Sequence, residues 1–211
     1  MKTILIGITQ GFAARYLLRT DILKTLLETG DVRIVVLTPN FDEPYFRKEF
    51  SSCRIHEFRT EACKRYYDRS RIRNFVLQLR KTVLNSHERL PFIDDKFDVW
   101  SRKTKRESNR AVWLRKGCSH VLRRSRLARR GLVKTESDLW KGHFHREIFL
   151  KYRPDLTIAC SNGYFLHDAL LLREARYHGS KTMVVVLSWD NPTSKGYGGA
   201  FPDFFVSWTD A

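Results

Sequence analysis

The chain has 211 residues, 42% of them hydrophobic and 13% aromatic, with a formal net charge of +16. This length suits one generous domain able to bury about 70% of its unfolded surface, and the apolar content excludes a disordered chain in spite of the charge. Cys53, Cys63, Cys118 and Cys160 form no C-x-x-C pair and no Cys/His cluster at zinc-ligand spacing, so a structural metal is not expected and the thiols are read as reduced, in the cytoplasm.

Met1-Lys2-Thr3-Ile4-Leu5-Ile6-Gly7 begins with a charge and an apolar run, but the run is short and no small-residue cleavage site follows. It reads as a first strand over Thr3 to Gly7, not as a signal peptide, and no stretch reaches the roughly 18 apolar residues of a membrane span. From Ala13 to Thr29 the residues Leu17, Leu18, Ile22, Leu23, Leu26 and Leu27 recur at helical spacing, and Gly30 stands where that helix should stop. Val32 to Leu37 is a second β-branched run, closed by Thr38-Pro39-Asn40. Strand, helix and strand in such quick succession make a βαβ unit, the building block of a parallel sheet.

After a short strand at Arg54 to Phe58 the pattern changes. Between Glu61 and Tyr152 there is no β-rich run, and the spacing predicts helices over about 61–85, 105–128 and 136–152. Such an insertion is too long for a plain crossover and predicts a helical lobe beside the sheet. From Arg153 the first rhythm returns. Pro154-Asp155 leads into the strand Leu156 to Cys160, the loop Ser161-Asn162-Gly163-Tyr164 and a helix from about Phe165 to His178 that Gly179 ends. The strand Thr182 to Leu187 follows, apolar without alternation from Met183 onward, as a central parallel strand covered on both faces should be. Asp203 to Trp208 predicts one more strand. The expected fold is α/β, a single Rossmann-like domain over residues 1–211 with an open parallel sheet and a helical, Arg-rich insertion at about 61–152.

Open parallel sheets bind ligands beyond the carboxyl ends of their strands, and three loops fall there: Gly7 to Phe12, Ser161 to Tyr164 and Ser188 to Gly199. The first is neither G-x-G-x-x-G nor a P-loop. It is a tight turn into a helix, or else a place where Gly11 admits a ligand to the backbone and Arg15 meets a phosphate or carboxylate. Asn162-Gly163 is a turn or a ligand contact. The third loop, Ser188-Trp189-Asp190-Asn191-Pro192-Thr193-Ser194-Lys195-Gly196, is longer and more polar than a strand connection needs. Asp190 and Asn191 either make Asx-turns before Pro192 or bind ligand, with Asp190 able to accept a proton and Lys195 or the Gly196 amide able to hold a phosphate.

The βαβ start, R-P-D-L-T-I-A-C-S-N-G at 153–163, L-L-R-E-A at 171–175, V-V-V-L-S-W-D-N-P-T-S-K-G at 184–196 and D-F-F-V-S-W-T at 203–209 together resemble the N-terminal half of bacterial glycosyltransferase-B-fold proteins. Those two-domain enzymes assemble surface carbohydrates, and the likeness extends to nucleotide-sugar 2-epimerases and glycerophosphotransferases. It covers about 1–40 and 150–211, and Ser188 to Gly196 is its most specific part. The resemblance implies an acceptor-side domain for a glycan or lipid-linked acceptor. The nucleotide-sugar donor is expected on a C-terminal donor-binding domain after Ala211, so no cofactor is expected on this domain. It makes Asp190 the candidate catalytic base, with Gly11, Arg15, Asn162, Gly163, Ser188, Asn191, Ser194, Lys195 and Gly196 as candidate substrate contacts.

Residues 102–130 hold 12 Lys/Arg against one acid, Glu107. Three readings stay open: a solvated helical face, a grip on nucleic acid, or attachment to an anionic membrane surface. Arg123, Arg124, Arg126, Arg129 and Arg130 beside Val121, Leu122 and Leu127 suit the last, which would put the protein peripherally on the inner face of a membrane, each basic group contributing about 1 kcal/mol. For nucleic acid Trp113 and Trp140 would stack bases, but no named motif is present. His143 and His145 lie on the helix expected over 136–152, where an H-x-H pair faces two directions, so no metal is expected there.

Overall fold

The computed structural model describes residues 1–83, 109–187 and 197–207. Six strands, β1 (Lys2–Gly7), β2 (Val32–Thr38), β3 (Arg54–Glu57), β4 (Leu156–Ala159), β5 (Lys181–Val185) and β6 (Phe204–Val206), form one open, all-parallel sheet in the order β3-β2-β1-β4-β5-β6. This is the Rossmann-like order expected of βαβ halves that wind outward from β1 and β4. Alternate residues of the central strands feed two cores. Ile6, Ile34 and Val36 face α1 (Gly11–Leu17), α2 (Asp21–Glu28) and α3 (Pro44–Glu49) through Ala13, Leu17, Leu23 and Phe46. Leu5, Val35 and Leu37 face α4 (Thr60–Asp68), α5 (Arg71–Thr82), α8 (Arg146–Tyr152) and α9 (Leu166–Tyr177) through Cys63, Tyr67, Leu77, Phe149 and Leu171. Burial on both sides is why these strands read as unbroken apolar runs.

Two strands begin alike. Pro154-Asp155 enters β4, and the Asp155 carboxylate accepts from the Thr3 N–H of β1 at 2.8 Å. Pro202-Asp203 enters β6, and the Asp203 carboxylate accepts from the Thr182 N–H of β5 at 2.8 Å and from the Thr182 hydroxyl at 2.8 Å. In each case the proline has no N–H to leave unpaired, and the carboxylate takes up a donor on the neighbouring strand that precedes its ladder.

The helical insertion is present, with boundaries that differ from expectation. The helix expected over Ala13 to Thr29 is two, α1 and α2. The Thr20 hydroxyl donates back to the Tyr16 carbonyl at 2.8 Å, and Arg19 grips Glu49 of α3 through bonds of 2.7 and 2.8 Å, which hold the break in place. The stretch 61–85 divides into α4 and α5 at Ser70, whose hydroxyl caps α5 by accepting from Arg73 N–H. Ser125 likewise starts a new helix by accepting from Ala128 N–H, so the described part of the lobe continues as α6 (Asn109–Arg123) and α7 (Arg126–Leu139), not as helices over 105–128 and 136–152. Residues 140–145 are not helical, and Gly142 lies so close under Phe144 that an added Cβ would meet its ring at 2.0 Å. His143 and His145 therefore sit in a loop, contrary to the helix assigned from sequence.

A buried ion cluster joins the lobe to the sheet. Glu136 of α7 lies 2.8 Å from Arg80 Nε of α5 and 3.0 Å from Arg173 Nη2 of α9, and Tyr67 of α4 donates to it at 2.8 Å. Arg80 also donates to the Gly163 and Tyr197 carbonyls, and Arg173 to the Gly199 carbonyl. Burial pushes the Glu136 carboxyl up, but the two guanidiniums outweigh it and the group is held below its ordinary range. Two buried cations on one buried anion require this density of carbonyl acceptors.

Candidate functional site at the carboxyl edge of the sheet

β1 and β4 are neighbours, paired Ile6 to Ile158, yet their connections leave in opposite directions, toward β2 and toward β5. The crevice of a doubly wound sheet opens at such a switch point, because two successive loops part there. Here those loops are 8–10, leading into α1, and 160–165, leading into α9.

The loop after β1 is open. Gly11 is exposed, an added Cβ would meet nothing within 4 Å, and its φ is not positive. Gly11 thus leaves surface clear rather than relieving strain. Arg15 is exposed one turn later, flanked by Phe12 and Tyr16, which are 43% and 41% exposed. A cation and two accessible rings on the same short helix are groups that suit a sugar or phosphate, and the two rings were not singled out from sequence.

The loop after β4 is closed and internally bonded. The buried Ser161 hydroxyl donates to Asp168 Oδ2 at 2.7 Å and accepts from Gly163 N–H at 3.3 Å and Phe165 N–H at 3.4 Å. Asp168, in the first turn of α9, is fully buried. Burial pushes its carboxyl up to about 7, although the Ser161 and Thr9 hydroxyls and the Ser161 N–H favour its charged form. Through Thr9 and Ser161 this one carboxyl touches both loops of the crevice from beneath. The residue escaped the sequence reading because α9 presents it as an ordinary first-turn acid. It has no solvent exposure.

Asn162 and Gly163 meet the chain before β6. The Asn162 carbonyl accepts from Gly199 N–H at 2.8 Å and Ala200 N–H at 3.0 Å. Gly163 has φ +90°, and an added Cβ would lie 2.9 Å from the Gly199 Cα and 2.8 Å from the Ala169 Cβ. Both its backbone conformation and the close approach require glycine. Gly163 is buried; Asn162 is half-buried and stays at the crevice rim. Ser188, Asp190, Asn191, Ser194, Lys195 and Gly196 lie outside the described residues. Their flanks are β5, which ends at Val185 on the carboxyl edge, and Tyr197, whose carbonyl is held by Arg80.

The five arginines between 123 and 130 divide. Arg123 and Arg129 are half-buried: Arg123 Nε donates to the Thr82 carbonyl at 2.8 Å and Arg129 to the Arg123 carbonyl. Arg124, Arg126 and Arg130 are exposed at the α6–α7 corner. Trp113, Leu114, Val121 and Leu127, exposed by 61–79%, share those helices. A separate cavity of about 450 Å³ lies between α7 and α9, lined by Lys134, Ser137, Asp138, Lys141, Arg176 and Phe201 among others. Its lining also includes Arg173 and Ala200, whose N–H donates to the Asn162 carbonyl. Among the described residues no helix is long and apolar enough to cross a membrane. No family model, curated protein or solved structure matches the chain.

Proposed function

We propose that this chain is the acceptor-side domain of a glycosyltransferase-like enzyme that uses a nucleotide-activated donor in surface-glycan synthesis. The observation that carries the reading is the sheet order β3-β2-β1-β4-β5-β6, which sets the open Gly11–Arg15 turn beside Asn162 at the switch point. In the sequence the polar segment 188–196 follows β5, the strand next to β4. Arg15 would hold an anionic group of the acceptor, Phe12 and Tyr16 would stack on its sugar face, and Asp190 would accept the proton from the attacking hydroxyl while Lys195 neutralises phosphate. The donor would occupy a second domain facing this edge. Incubating the natural protein with a panel of nucleotide sugars and lipid-linked acceptors should give transfer that Asp190→Ala and Lys195→Ala each abolish with melting temperature unchanged. Full turnover in both variants would remove these residues from the site.

One observation favours a second property, attachment to an anionic membrane surface. Val121 and Leu127 are exposed near Arg124, Arg126 and Arg130 in the chain, and Trp113 and Leu114 are exposed further back on α6, a mixture of apolar and basic groups that a charged lipid interface accepts. Sedimentation with phosphatidylserine-containing vesicles should fall at least tenfold in the triple Arg→Glu variant. Equal sedimentation of wild type with pure phosphatidylcholine vesicles would discard the electrostatic part.

A further inference from the structure

The loop over 140–145 places an unused set of donors against the last turn of α9. Phe144 N–H and His145 N–H both donate to the Glu174 carboxylate, at 3.0 and 2.9 Å, so the backbone must turn at Gly142 and His143 is brought beside His178. Glu174 and His178 are four residues apart and share a face of α9. A ring nitrogen of His143, a carboxylate oxygen of Glu174 and a ring nitrogen of His178 all lie within 4.8 Å of one another.

Three observations separate this cluster from a chance meeting of polar groups. Glu174 is 1% exposed, so its charge is removed from solvent, and no Lys or Arg salt bridge to it is found among the described residues. The His178 Nε2 atom is buried without a hydrogen-bond partner, while its ring is stacked on Phe149 at 5.1 Å and 7°. His145 is committed elsewhere: its Nε2 accepts from Arg59 N–H at 3.2 Å, leaving Nδ1 turned toward Glu174 at 3.4 Å. What His145 gives the Glu174 carboxylate is its backbone N–H, since Nδ1 makes no hydrogen bond. Exposed His143 is the adjustable member, set edge-on to Tyr177 at 4.5 Å. Zinc bonds of about 2.0–2.1 Å place tetrahedral ligands about 3.4 Å apart, so closing the cluster shortens its widest separation by at most about 1.4 Å.

We propose that His143, Glu174 and His178 bind a divalent cation of the zinc class, with a remaining coordination position open to solvent. Two imidazoles and one carboxylate are borderline and hard donors, a set that favours zinc, cobalt or nickel over calcium or magnesium. The site lies at the amino edge of the sheet, because α9 passes through Gly179 and Ser180 directly into β5. It is thus remote from the carboxyl-edge crevice and independent of the function proposed for it. The ion would fasten the loop leaving the lobe to the helix that underlies the sheet.

The test is zinc chloride titrated calorimetrically into chelator-treated protein, with Co²⁺ absorption as a report of imidazole ligation. One equivalent should bind, and the melting temperature should rise with added zinc. His143→Ala, an exposed change that leaves folding intact, should weaken binding at least tenfold, and His143→Ala with His178→Ala should abolish both binding and the thermal shift. Absence of saturable binding, or binding that the double variant retains, overturns the assignment.

Discussion

Asp168 shows how one side chain can depend on two loops. In the unfolded chain it releases its proton near the ordinary value of 3.8, and burial raises this to about 7 in the fold, so between those values the native state holds one proton more. Raising the pH through that window therefore removes stability, at a slope approaching about 1.4 kcal/mol per pH unit, and the loss levels off above about 7. Asp168→Asn keeps an acceptor for the Ser161 hydroxyl and has no proton to lose. Urea denaturation across this pH range should show the variant gaining on wild type as pH rises, and a gap independent of pH would mean that the carboxyl is not held neutral. Nothing in its local sequence distinguishes Asp168 from the exposed first-turn acid Asp21, since desolvation is set by what packs over the residue.

At the scale of elements, the paired Pro-Asp starts of β4 and β6 carry an acid-sensitive contribution. The Thr3 N–H and then Lys2 hold the Asp155 carboxyl below its ordinary value. Burial pushes Asp203 up, but the Thr182 hydroxyl and N–H outweigh it, so this carboxyl is also lowered. Both groups therefore stabilise the fold above about pH 4, and that stability disappears as the pH falls through their folded values. The variant Asp155→Asn with Asp203→Asn should melt below wild type at neutral pH and converge with it in acid; parallel melting curves at every pH would rule the carboxylates out. Both Pro-Asp pairs stand in the sequence, and Pro154-Asp155 correctly announced a strand. Helix ends were less legible: Ser70 and Ser125 cap helices that periodicity alone ran together, because a capping hydroxyl interrupts the chain without interrupting the apolar rhythm.

For the molecule as a whole, Glu136 decides whether the lobe and the sheet behave as one body. Glu136→Gln leaves the Arg80 and Arg173 guanidiniums buried without their counter-charge, and breaking a pair of this kind costs about 3–5 kcal/mol. The midpoint of urea unfolding should fall accordingly, and a loss under about 1 kcal/mol would show that the carbonyls of Gly163, Tyr197 and Gly199 suffice to hold the two cations. From composition this cluster is invisible, since Arg80 and Arg173 look like any other members of a +16 chain.

The parallel sheet was legible because its cause is local and repeated: β-branched runs, each followed by a turn and a helical pattern, allow few topologies with right-handed crossovers. The exposed Gly11–Arg15 turn followed from the same reasoning, since the carboxyl ends of the strands are known once the strands are. Only the tertiary structure decided that Gly163 is packed against Gly199, that Arg123 and Arg129 are half-buried and bonded to the lobe's own backbone while Arg124, Arg126 and Arg130 face solvent, and that His143 belongs with Glu174 and His178 rather than with His145. Apart from the Arg129 bond to Arg123, which spans six residues, these depend on contacts between segments tens of residues apart, where burial and distance, not residue type or spacing, determine what a side chain can do.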